Sequence, residues 1–209
     1  LIVSQYYKIL DLPPVPELYV EQALVRAQEF TDLPEEQRLS RRANPLHHPD
    51  RPVLQVIRNG QTQSGRTAPR VDFADVMSDW VNTNVSREWN QITVGVNLPP
   101  INGDGGDTTV AHTDTTRAYV LIYLLSVSNE DQATVFYQQR GQARHRRRNT
   151  TVEDYSQLSE LERACYPLHR WVMLDATVIH GVENVLGHRT AIHIGFDIDP
   201  FGVMQWEKQ

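Results

Sequence analysis

Hydrophobic positions along the chain change their period near the middle. In the first part they recur at helical spacing in two places. After Pro13, Pro14 and Pro16, which make a rigid entry, Glu17 to Phe30 carries Leu18, Ala23, Leu24, Ala27 and Phe30 largely on one side. That pattern predicts an amphipathic helix. Asp72 to Asn84 does the same with Phe73, Val76, Met77, Trp80 and Val81. Between the two, Leu33 to Arg42 is short and highly charged. Residues 43–70 are rich in Pro, Asn, Gly and Arg, interrupted by Val53 to Ile57, a predicted strand.

From Gln91 onward period two takes over. Gln91 to Leu98 alternates Ile92, Val94, Val96 and Leu98 on one face until Pro99-Pro100 ends it. Further strands are predicted at Tyr119 to Ser126, Thr134 to Tyr137, His169 to Leu174, Val178 to Val185 and Thr190 to Ile198. The Gly- and Asp-rich run from Ile101 to Asp107 reads as a substrate lid or a plain loop. No internal repeat and no linker is visible, so one domain over 1–209 is expected.

Composition narrows the class without naming it. Charged residues at 22% and hydrophobic residues at 40% are ordinary for a soluble protein, and the net charge of −6 gives no global reason to expect nucleic acid or an anionic membrane. The longest apolar run, Ala118 to Leu125, is far short of the roughly 18 residues a membrane span needs. The first residues lack the charged-then-apolar order of a signal peptide. Cys165 is the only cysteine, which excludes an intrachain disulfide and is consistent with a reducing cytoplasm; it reads as a packing residue. One basic patch stands out: Arg140, Arg144, His145, Arg146, Arg147 and Arg148. Such a run can bind phosphates, but it has no interleaved aromatics for base stacking, so a solvated loop is the first reading.

The chemistry is concentrated in His112-Thr113-Asp114, His180 and Arg189. Two imidazoles and one carboxylate form a facial ligand set that leaves three positions open on an Fe(II) ion. One residue separates His112 from Asp114, so at the end of an extended strand both can reach one ion. His180 follows Trp171 to Val178, where apolar stretches flank a polar break at Asp175 to Thr177, and so belongs on or beside a core strand. His47-His48, His169, His188 and His193 have no second ligand at productive spacing and read as surface or supporting residues.

The segment from about Gln91 to Asp197 resembles the core of the Fe(II)/2-oxoglutarate-dependent oxygenases, most closely their prolyl-hydroxylase-like branch. The residues that carry this are His112-Thr113-Asp114, then Ala118 to Leu124, then Ala133 to Phe136, then His180-Gly181-Val182, then Gly187 to Thr190. The resemblance implies a mainly β fold with supporting N-terminal helices: a double-stranded β-helix, the jelly-roll or cupin-like barrel. About 1–90 would supply the helical support and first strands, and about 91–200 the metal-bearing barrel core. It also implies that His112, Asp114 and His180 hold Fe(II), and that Arg189 receives the far carboxylate of 2-oxoglutarate, for which arginine is a planar two-armed donor. Tyr123 aligns with a tyrosine that hydrogen-bonds the same cosubstrate; as a core aromatic with a satisfied hydroxyl it would have no such role. O2 is the second cosubstrate.

A carboxylate at Asp114, where halogenating relatives carry a small residue, implies hydroxylation, with succinate and CO2 released. The substrate implied is a peptidyl residue or a free amino acid. Two departures from the branch weaken prolyl specificity: Asn129 to Gln132 replaces its Gly-rich turn, and a long arginine-bearing insert runs from Gln138 to Leu168. The competing readings are a cupin-like metal protein without oxygenase activity, which leaves Arg189 without a task, and an anion- or nucleic-acid-binding module built on Arg140 to Arg148, which leaves the triad unexplained.

Overall fold

Alternating side chains give each strand one face for an inner core and one for an outer layer, and two such sheets close on each other. The computed structural model describes residues 4–32, 34, 53–58, 61–63, 74–97, 111–114, 117–141, 150–152 and 154–204. Its strands are β1 (Tyr7–Leu10), β2 (Val53–Arg58), β3 (Gln61–Gln63), β4 (Trp89–Asn97), β5 (Ala111–His112), β6 (Tyr119–Val127), β7 (Ala133–Gln139), β8 (Thr151–Val152), β9 (Leu158–Ala164), β10 (Trp171–Asp175), β11 (Ile179–Glu183) and β12 (Arg189–Phe196). The major sheet has seven strands in the order β1-β10-β6-β12-β4-β2-β3, and the minor sheet five in the order β8-β5-β11-β7-β9. Neighbours pair antiparallel throughout. This is a double-stranded β-helix, as expected.

Helices α1 (Glu17–Thr31) and α2 (Ala74–Asn84) cover the outer face of the major sheet. Tyr19, Ala23 and Ala27 of α1 and Met77, Trp80 and Val81 of α2 pack with Ile92, Val94 and Val96 of β4, Leu121, Tyr123 and Leu125 of β6, and Ile192, Ile194 and Phe196 of β12. Trp171 sits at the centre. Its ring lies 4.8 Å from Trp80 and 4.7 Å from Tyr123, and its Nε1 donates to the Pro13 carbonyl at 2.9 Å. The proline entry is thereby tied to the sheet it leads onto.

Between the sheets lies a second cluster of Val120, Ile122 and Leu124, Val172 and Leu174, Ala191, Phe136 and Tyr6. Tyr6 stacks on Phe136 with ring centroids 5.3 Å apart.

Four elements were not legible as such. β1 has no strong alternation of its own and is extended because β10 pairs with it. β8 and β9 occupy the stretch read as a polar insert; β9 is an edge strand, so most of its side chains face solvent and its sequence, Leu158-Ser159-Glu160-Leu161-Glu162-Arg163-Ala164, is largely polar. β3 is equally polar. The strand expected from His169 begins only at Trp171, because His169 adopts a left-handed φ of 56° that breaks the extended run. Cys165 is exposed rather than packed in a core. No helix among the described residues is long and apolar enough to cross a membrane.

Candidate metal centre and its cleft

The minor sheet brings the two histidines together. His112 on β5 and His180 on β11 are direct cross-strand partners, with ring centroids 4.7 Å apart. Asp114 follows immediately after β5, and its placement comes from backbone bonds on both sides. Its N–H donates to the Ala176 carbonyl at 2.9 Å, while the Thr113 N–H donates to the Thr150 carbonyl at 2.8 Å and the Thr150 N–H returns to Thr113 Oγ1 at 2.9 Å. The middle residue of the motif thus fastens β5 to the start of β8.

The turn from β10 to β11 is equally fixed. Buried Asp175 accepts hydrogen bonds from the backbone N–H and the hydroxyl of Thr177. This explains the polar break before His180: the carboxylate closes the turn that aims the ligand strand.

One potential donor atom from each of His112, Asp114 and His180 lies within 4.8 Å of the others, and His112 Nε2 is 3.4 Å from Asp114 Oδ1. His180 Nδ1 lies 2.9 Å from the Val178 carbonyl. A carbonyl only accepts, so Nδ1 carries the proton and Nε2 keeps its lone pair for the centre of the cluster. Asp114 is buried, which by itself pushes its carboxyl up; Arg117, the hydrogen bond from His112 and the neighbouring imidazoles outweigh this and hold it well below the usual carboxylate range. It is therefore an anion at neutral pH. Arg117 Nε donates to Asp114 Oδ2, leaving Oδ1 on the histidine side.

The cluster lies in a cleft lined by His112, Asp114, Arg117, Thr134, His180, Arg189 and His193, together with Val120, Ile122, Leu174 and Val182. Arg189 opens β12 on the major sheet, and its Nη2 reaches across to Thr134 Oγ1 on the minor sheet at 3.2 Å. It is 4% exposed, its Cζ lies 5.8 Å from the centre of the Tyr166 ring, and no acidic side chain pairs with it among the described residues. Burial pulls its pKa down from the ordinary arginine value, while a guanidinium keeps its proton in proteins. Among the described residues its company is the Thr134 hydroxyl, the Tyr166 ring and the Cys165 thiol, a setting that suits an anion supplied from outside.

Tyr123 does not belong to this cleft. Side chains alternate along β6, so Val120, Ile122 and Leu124 face the inner cluster while Leu121, Tyr123 and Leu125 face the helices. Tyr123 packs 4.7 Å from Trp171 and 6.1 Å from His169. The residue expected to contact a cosubstrate thus stands on the helix side of β6, outside the cleft lining. Tyr166, absent from the sequence reading, is the tyrosine that stands beside Arg189.

Arg117, which pairs with Asp114 only three residues away, escaped sequence reasoning; His193, read there as a surface or supporting residue, reaches the cleft through the pairing of β12 with β6. Of the arginine patch only Arg140 is described, and its Nε is directed at the Leu158 carbonyl (3.2 Å) and Ser159 Oγ (3.3 Å) of β9. Arg144, His145, Arg146, Arg147 and Arg148, the Ile101 to Asp107 loop, and His47-His48 lie outside the described residues.

Against known proteins, the likeness is one of fold. The structure is similar to the dioxygenase for auxin oxidation from rice, with a TM-score of 0.50 and 11% identity over 93% of this chain and 74% of that one. It also aligns with HygX from Streptomyces hygroscopicus bound to nickel, 2-oxoglutarate and hygromycin B (TM-score 0.41, 13% identity, 91% of this chain and 82% of that one). A 2OG-Fe(II) oxygenase family oxidoreductase from Burkholderia pseudomallei aligns at a TM-score of 0.38 and 15% identity, over 91% of this chain and 86% of that one. No protein-family model matches the chain, and no curated protein does.

Proposed function

We propose that this chain is an Fe(II)- and 2-oxoglutarate-dependent oxygenase that hydroxylates a free amino acid or a peptidyl residue. The observation that carries the reading is one cleft holding a two-histidine, one-carboxylate cluster and, in the same cleft, a buried arginine with no acidic partner among the described residues.

The donor set fits ferrous iron. Two neutral imidazole nitrogens and a single carboxylate oxygen are the ligands that leave a non-haem iron open to cosubstrate and O2. Bound there with 2-oxoglutarate, Fe(II) would supply the activation of O2 for C–H oxidation, the keto acid leaving as succinate and CO2.

The chain's own residues do the rest. His112, His180 and Asp114 hold the metal, the last as the sole anion. Thr177 and Asp175 fix the turn that aims His180, and the Val178 carbonyl fixes its tautomer. Arg189, braced by Thr134, docks the distal carboxylate of the cosubstrate. Val120, Ile122, Leu174 and Val182 make an apolar wall that limits water around the reacting carbon.

Calorimetric titration of 2-oxoglutarate into the Zn(II)-loaded protein tests the reading without turnover. Binding that requires metal and weakens at least about tenfold in Arg189→Met is expected from the loss of a charge-assisted hydrogen bond. Metal binding with no response to 2-oxoglutarate would instead support a cupin-like metal protein.

A further inference from the structure

Arg117 is buried in the cleft wall and only partly used. Its side chain is 9% exposed, its Nε is committed to Asp114, and its Nη1 is buried without a hydrogen-bond partner among the described residues. A buried guanidinium nitrogen with nothing to donate to is costly. The fold nevertheless makes room for it. Gly195 on β12 lies beneath the arginine stem: a Cβ there would stand 2.7 Å from Arg117 Cδ and 3.2 Å from its Cβ.

The position of that stem follows from register. Leu174 of β10, Val120 of β6 and Gly195 of β12 form one row across the major sheet, with Ile122 and His193 paired in the next row. The row faces the cleft. Arg189 lies on the same face of β12, at its other end, roughly 20 Å away along the strand at about 3.3 Å per residue. The two guanidiniums thus enter the cleft from opposite ends of one strand.

Charge makes the two ends unequal in need. Asp114 offsets one guanidinium and a 2-oxoglutarate dianion offsets a divalent metal, which leaves one positive charge in a largely apolar cleft. We propose that the free arm of Arg117 receives the carboxylate of the substrate, so that the enzyme takes a small carboxylic acid with an apolar body, such as a free amino acid, rather than an internal residue of a peptide. This rests on the oxygenase reading for the use of Arg189 by the cosubstrate. The apolar body lies against Val120, Ile122 and Leu174, and the carboxylate sets which carbon faces the metal. Arg117 has a second task as a positioning residue, holding Asp114 Oδ2 so that Oδ1 faces the histidines.

Hexanoate and hexanamide make a matched probe pair, the amide standing for the neutral carbonyl of a peptide. They are titrated by calorimetry into protein loaded with Zn(II) and saturated with 2-oxoglutarate, so that Arg189 is occupied and no turnover occurs. Hexanoate is expected to bind at least about tenfold more tightly than hexanamide, the difference a charge-assisted hydrogen bond provides. In Arg117→Met the cation is gone, so the preference for the acid is expected to fall away, with Zn(II) and 2-oxoglutarate binding measured on the same variant.

Equal binding of acid and amide, or no binding of either to the wild type, overturns the inference. So does a preference that survives in Arg117→Met. Should 2-oxoglutarate itself fail to bind, the oxygenase reading falls, and the same probe pair on Zn(II) protein carrying Arg189→Met still decides the role of Arg117: a retained preference supports it and a lost one refutes it.

Discussion

Asp114 is shared between two partners, and the division of its oxygens explains much of the site. Oδ2 accepts from Arg117 and Oδ1 faces His112, so the carboxylate is oriented before any ion arrives. Asp114→Ala removes the only anionic donor and leaves the largely buried Arg117 without its counter-ion. Loss of metal binding is expected, measured by equilibrium dialysis with Zn(II); stoichiometric binding retained in that variant would mean the ligand set is different. His180→Ala is expected to have the same effect on metal, because the Val178 carbonyl has already committed its ring to one tautomer. The facing of Tyr123 also belongs to this scale: a strand assigns facing by single-residue phase, and that phase is set by pairing with β10 and β12.

At the scale of the element, β12 does the most. Arg189, Ala191, His193 and Gly195 face the cleft while Ile192, Ile194 and Phe196 pack on the helices. Gly195→Ala should lower stability by about 1–3 kcal/mol through overpacking, since the new methyl meets Arg117 and Asn90 Oδ1, the latter at 2.6 Å. A shift of the urea midpoint reads this, and an unchanged midpoint would mean the stem of Arg117 moves aside freely. Trp171→Ala removes the ring stacked on Trp80 and tilted against Tyr123 and should cost about 3–5 kcal/mol; a smaller loss would show that α2 docks without it. How much of this the sequence disclosed depends on whether a signal was local. The helices around Tyr19 and Met77, the strand at Ile92 to Val96, and the order His112, Asp114, His180, Arg189 were legible, because periodicity and short motifs are written in consecutive residues. β1 and β9 were not, since β1 owes its extension to β10 and β9 faces mostly solvent. Nor were the pairing of Arg117 with Asp114, which no period announces, and the cleft position of His193, which comes from the register of β6 against β12.

At the scale of the molecule, the described residues form two sheets of seven and five strands that meet along a cleft, with the histidines on the minor sheet and both arginines on the side of the major one. Metal and cosubstrate would therefore bridge the layers. A bridging ligand that binds only the folded state stabilises by mass action, about 2.7 kcal/mol at a hundredfold excess over Kd. Zn(II) should raise the melting temperature of the wild type, 2-oxoglutarate should raise it further only when metal is present, and a chelator should reverse both. Independent, additive shifts would mean that the two do not share a site.

The most direct test of the oxygenase reading is an anaerobic titration of the metal-free protein with Fe(II) and then 2-oxoglutarate, followed by visible absorption. The reading predicts a weak charge-transfer band on adding the keto acid, saturating at one equivalent per chain, absent in Asp114→Ala and needing a higher concentration in Arg189→Met. Bound iron that gives no band at saturating 2-oxoglutarate would contradict it.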